Sequence, residues 1–81
     1  MSPTIHREGP YRFFFYSNEG SEPPHVHVEA GDGEGKLWIQ SAAFASHAGL
    51  SPKDMGRIVA IVKAHQSEFQ EAWHGYFGGK R

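Results

Sequence analysis

An 81-residue chain with eight basic and nine acidic side chains, a formal net charge of −1 and no cysteine fits one small domain, near the size limit at which a core stands without metal, disulfide or partner. The missing cysteine excludes disulfides and thiolate metal sites, and the near-neutral balance excludes the strongly basic footprint of a dedicated nucleic-acid binder, although a local patch would still fit. No apolar run approaches the roughly 18 residues of a spanning helix, and the N-terminus has no apolar signal-peptide core, so the expectation is a soluble, cytoplasmic protein without membrane contact.

In chain order, Thr4 to Pro10 reads as a short strand closed by a Gly9-Pro10 turn. Tyr11 to Ser17 is a run of β-prone aromatics ending at Asn18-Glu19-Gly20, which predicts a strand over 11–17. Pro23-Pro24 lacks two ladder donors, so the next strand starts at His25 and runs to Ala30. There Val26 and Val28 point one way and His25, His27 and Glu29 the other. Gly31 to Gly35 reads as a hairpin turn, with Lys36 to Gln40 returning as a strand that sets Leu37 and Ile39 against Lys36, Trp38 and Gln40. Ser41 to Gly49 is expected to hold a short helical turn through Ala42, Phe44 and Ala45.

A long helix is predicted from about 52 to 77, with Ser51 as N-cap, Pro52 at the first helical position and Asp54 at the third. Met55, Ile58, Val62, Phe69, Trp73 and Tyr76 recur at threes and fours, with one double step, and form an apolar stripe. Gly78-Gly79 ends the helix and Lys80-Arg81 reads as a frayed tail. The expected fold class is therefore α+β: a small antiparallel sheet of three, or with the first segment four, strands packed against one long C-terminal helix.

This arrangement leaves a surplus. Tyr11, Phe13 and Phe15 face one side of their strand and Phe14 and Tyr16 the other, so one helix cannot cover both sets. The uncovered set shares a surface with His25, His27, Glu29 and Trp38, and an exposed aromatic face marks an interface or binding site. The candidate interface residues are Phe13, Phe14, Tyr16, His25, His27 and Trp38.

Histidines at i and i+2 on a strand project from one face about 6.5–7 Å apart. That spacing lets both imidazoles reach one divalent metal ion, with Glu29 as a third ligand or as the group that orients a ring. Neutral imidazoles also suit general acid–base work, and His25 and His27 are the catalytic candidates should the chain be an enzyme. A bland reading stands beside these, since alternating polar residues face outward in any half-exposed strand. No stretch amounts to a catalytic signature.

The blocks Tyr11-Arg12-Phe13-Phe14-Phe15-Tyr16-Ser17, Glu22-Pro23-Pro24-His25-Val26-His27-Val28 and Gly35-Lys36-Leu37-Trp38-Ile39, with Ser51-Pro52-Lys53 and Glu71-Ala72-Trp73-His74-Gly75-Tyr76-Phe77, resemble the family called domain of unknown function 4160. The resemblance spans nearly the whole chain, and the Glu-Pro-Pro-His-Val-His-Val block is its most specific part. Ser41 to His47 departs from the pattern, lacking the proline and aliphatic residues expected there. The resemblance implies a small bacterial protein whose gene often lies beside that of a second uncharacterised family, number 2442, in an arrangement suggestive of toxin–antitoxin modules; it implies no reaction and no catalytic residue.

The leading expectation is an interaction domain of such a two-protein module, partnered by the neighbouring gene's product or by a second copy of itself, with no cofactor required. The alternatives are a small ribonuclease or phosphate-transfer toxin, in which RNA is the partner and Arg12 or Lys36 balances phosphate charge, and a metal-binding domain using His25, His27 and Glu29.

Overall fold

A computed structural model describes residues 4–17 and 19–78. Asn18, Gly79 and the tail expected at Lys80 and Arg81 lie outside the described residues. The chain is α+β, in the order β1 (Thr4–Glu8), β2 (Tyr11–Phe14), β3 (His25–Ala30), β4 (Gly33–Trp38), β5 (Ala43–Ala48), α1 (Pro52–Ala64) and α2 (Gln66–Phe77). The five strands form one antiparallel meander in sequence order.

Three expectations are corrected. The sheet has five strands rather than three or four, because Ala43–Ala48, within the segment expected to hold a helical turn, forms an edge strand. Ala42 enters the left-handed region at φ 57°, and its N–H donates to the Trp38 carbonyl at 2.8 Å, so the chain reverses within four residues and returns along β4. The pairing shifts by one residue, from Lys36↔Ser46 to Leu37↔Phe44, as a β-bulge does.

Gly33 and Gly35 belong to β4 rather than to the hairpin turn, which is confined to Gly31 and Asp32. Their missing side chains make room for this edge. A Cβ at Gly35 would stand 2.7 Å from the Phe44 ring, and one at Gly33 would meet the Gly49 carbonyl at 2.5 Å. Glycine inside a strand marks such close approaches.

The long helix is broken at His65, whose backbone (φ −118°, ψ 22°) is not helical. The break falls in the double step between Val62 and Phe69, where the apolar stripe is silent. It lets the Gln66 side-chain amide donate to the Ile39 and Gln40 carbonyls, both at 2.9 Å, tying the helix junction to the end of β4. At the other end the cap is as predicted: Ser51 Oγ accepts the Asp54 N–H at 3.1 Å, with Pro52 starting α1.

Both helices cover one face of the sheet. Tyr11, Phe13 and Phe15 of the second segment, Val26, Val28, Leu37 and Ile39 form one buried cluster with Ile58, Val62, Phe69 and Trp73. Of the stripe, Met55 is half-buried and Tyr76 exposed. No helix among the described residues is long and apolar enough to cross a membrane.

Candidate functional site

Strand parity sends Arg12, Phe14 and Tyr16 to the face opposite the helices. Pairing then places Phe14 opposite His27, Arg12 opposite Glu29, His27 opposite Lys36 and His25 opposite Trp38. The sequence-derived surface thus assembles from three strands, with one change of membership. Phe13 is not on it, since its odd parity puts it in the helix-covered core, fully buried. Phe14 is on it yet only 5% exposed, because its own neighbours enclose it. The Arg12 guanidinium lies 4.5 Å above its ring centre, Tyr16 meets it edge-on at 5.2 Å and His27 stacks at 5.7 Å. Tyr16 is exposed, and Lys36 Nζ sits 4.9 Å over the half-buried Trp38 ring.

Beside these residues runs an open groove of about 370 Å³, whose walls include Phe14, Tyr16, His27, Lys36, Ser46 and His47. Ser46 and His47 come from β5, so the groove exists only because the expected helical turn is a strand.

At one end of this face the connector between β2 and β3 folds back over the histidine strand. Its return is fixed by Pro23-Pro24, where the Pro24 carbonyl accepts the Ile39 N–H at 3.1 Å. The fold brings Glu19 between the two imidazoles: Oε1 lies 2.9 Å from His25 Nε2 and 2.7 Å from His27 Nε2. Glu29, the carboxylate expected there, instead pairs with its cross-strand neighbour Arg12 at 3.2 Å. A Glu directly opposite an Arg on one sheet face is a favourable pair, and the connector already fills the space above the histidines. By sequence Glu19 is only part of the turn that ends the aromatic run. The signal available for it is indirect: a carboxylate six residues before His25, on a connector that must return antiparallel over the start of β3.

His25 is fully buried, with its ring 4.9 Å from Trp73 of α2 and 5.8 Å from Trp38. Among the described residues its nitrogens face acceptors: Nε2 meets Glu19, and Nδ1 meets the Pro23 carbonyl at 3.0 Å and a Glu22 oxygen at 3.7 Å. Glu22 also holds Lys36 Nζ at 2.7 Å. His27 is more open, with 14% of its side chain exposed. Burial lowers the His27 imidazole below its ordinary value, outweighing the opposite pull of Glu19. Burial alone would raise the Glu19 carboxyl, but hydrogen bonds to His25 and His27 hold it below the ordinary range. The carboxylate is therefore the charged member of its pair with His27.

A second histidine–carboxylate group, unforeseen in the sequence, joins β1 to the helix break. Glu8 Oε1 lies 3.0 Å from His6 Nε2 and 3.6 Å from His65 Nε2, and His65 Nδ1 pairs with Glu68. His6, Glu8 and His65 are all partly or fully solvent-exposed.

The family described as domain of unknown function DUF4160 matches this chain over residues 11–74. No curated protein and no solved structure matches it.

Proposed function

We propose that this chain, which belongs to the DUF4160 family of domains of unknown function, is a cytoplasmic protein-interaction domain and one component of a bacterial two-protein module of the toxin–antitoxin kind. The observation that carries the reading is the one-sided architecture. The buried residues of both helices, Ile58, Val62, Phe69 and Trp73, all join the cluster on one sheet face. The groove lined by Phe14, Tyr16, His27, Lys36 and Ser46 lies on the other.

Such a surface suits a protein partner. It offers aromatic rings and cationic heads side by side, the residue types enriched where interfaces carry their energy. The partner is the product of the neighbouring gene, since the pairing implied by the family resemblance supplies a protein of that kind. The acid–base reading draws less support, because both nitrogens of His25 are occupied and its ring is buried, leaving His27 as the histidine of the doublet that a substrate could reach.

The test is sedimentation of the purified domain at micromolar concentration, alone and with the neighbouring gene's purified product. A complex that Lys36→Glu weakens at least tenfold, in a variant with unchanged circular dichroism, supports the reading. A monomer with no affinity for that product, or a complex indifferent to Lys36→Glu and to Tyr16→Ala, rejects this face as its interface. Growth on expression with and without the neighbour then tells which member is harmful.

A further inference from the structure

We infer that Glu19, His25 and His27 form a binding site for one divalent transition-metal ion, of the zinc or iron(II) class, at the edge of the groove. The site does not depend on the proposed interface, since it is built from the connector and the start of β3.

The three donors converge. Glu19 Oε1 and one ring nitrogen from each histidine all lie within 4.8 Å of one another. Around a tetrahedral zinc ion, with nitrogen and oxygen ligands at about 2.0–2.2 Å, neighbouring donors stand roughly 3.4 Å apart. The two contacts that Glu19 makes, 2.9 and 2.7 Å, are somewhat shorter than that spacing, and the two ring nitrogens lie within 4.8 Å of each other.

Hydrogen bonding at His25 points the same way. The Pro23 carbonyl can only accept, so Nδ1 carries a hydrogen. In a neutral ring Nε2 then holds a lone pair, and that lone pair points at a carboxylate oxygen 2.9 Å away. Two electron-rich atoms face each other at hydrogen-bond distance, on a ring that is fully buried. Something positive belongs there: a second ring proton or a metal ion. A backbone carbonyl on Nδ1 that fixes the tautomer and turns Nε2 toward the ion is how metal-binding histidines are held.

Two imidazoles and one carboxylate set the class of ion. Calcium and magnesium prefer all-oxygen shells, whereas imidazole suits zinc and iron. Three protein ligands leave at least one position open. His27 belongs both to the trio and to the groove wall, and Glu19 keeps 23% of its side chain exposed, so solvent reaches the ion from that side.

The test is a titration of chelator-stripped full-length protein with Zn2+ against a chromogenic indicator, repeated with Co2+ while reading visible absorption. The expected result is one ion bound per chain with micromolar or tighter affinity, together with a cobalt band of low-coordinate type. Glu19→Gln and His27→Gln should each weaken zinc at least tenfold and remove the cobalt band. Glu29→Gln and His6→Gln should change neither, the latter separating this trio from the one at Glu8. Because His25 is buried and its variants can fail to fold, the deciding variant is Glu19→Gln, checked for native circular dichroism. Zinc affinity weaker than millimolar, affinity unchanged in folded Glu19→Gln, or affinity lost in His6→Gln overturns the site; the first of these assigns the place between His25 and Glu19 to a proton.

Discussion

The Tyr11 hydroxyl donates to Asp54 Oδ1 at 2.6 Å, joining the first residue of β2 to the first turn of α1 across 43 positions of sequence. The Asp54 N–H is itself taken by the Ser51 cap, so this one residue completes the helix N-terminus, places a negative charge at its positive end and anchors the sheet.

A pH dependence follows from this pair. The Tyr11 hydroxyl, then the Ser51 cap, hold the Asp54 carboxyl below the ordinary range, and Asp54 together with burial raises the Tyr11 phenol. A depressed carboxylate adds stability above its unfolded value, and that stability is lost as pH falls through the folded one. A raised phenol adds stability below its unfolded value, lost as pH rises through the folded one. Tyr11→Phe should therefore lower the melting temperature at neutral pH, and the difference from the parent chain should shrink in both acid and strong alkali. A difference constant from acid to alkaline pH would show that the bond is not linked to titration.

Trp73 fills the space between His25, Phe15 and Phe77, with ring centres 4.9, 5.4 and 4.1 Å away. Trp73→Ala should cost about 3–5 kcal/mol in urea unfolding, from lost burial and the cavity left behind. An unchanged midpoint would mean that α2 does not close this core.

Gly35→Ala tests the β5 edge. The new Cβ would stand 2.7 Å from the Phe44 ring, and overpacking of this kind costs roughly 1–3 kcal/mol. Pairing it with Phe44→Leu should recover part of the loss. If Gly35→Ala is neutral by itself, Phe44 does not lie across β4.

The two histidines of β3 should separate by burial when a chelator is present. His25→Gln removes a fully buried ring with both nitrogens engaged and should destabilise by roughly 1–3 kcal/mol. His27→Gln, at the groove wall, should stay within about 1 kcal/mol of the parent. Equal losses in chemical denaturation would contradict this asymmetry.

What the sequence determined by itself was local. Period-two alternation placed β3 and the start of β2, which ends at Phe14 rather than at the expected Ser17, and assigned Val26, Val28, Leu37 and Ile39 to the core, because side-chain direction in a strand needs only parity. Ser51-Pro52 and the stripe through Ile58, Val62, Phe69 and Trp73 placed the helical half, because capping and a 3.6 period are also local. The pair of histidines was visible for the same reason.

Tertiary structure decided the rest through contacts whose partners lie far apart in the chain. Ala43–Ala48 carries no strong propensity, and becomes a strand because Gly33 and Gly35 let Phe44 and Gly49 close on β4. The helix breaks at His65, where Gln66 reaches the carbonyls of Ile39 and Gln40, 27 and 26 residues away. The candidate site changed its carboxylate for a related cause: Glu29 is the nearer residue in β3, but Arg12 stands opposite it, while the connector's fold delivers Glu19 to both imidazoles. Strand alternation specifies which way His25 and His27 point; only packing of the connector against the sheet specifies what they meet.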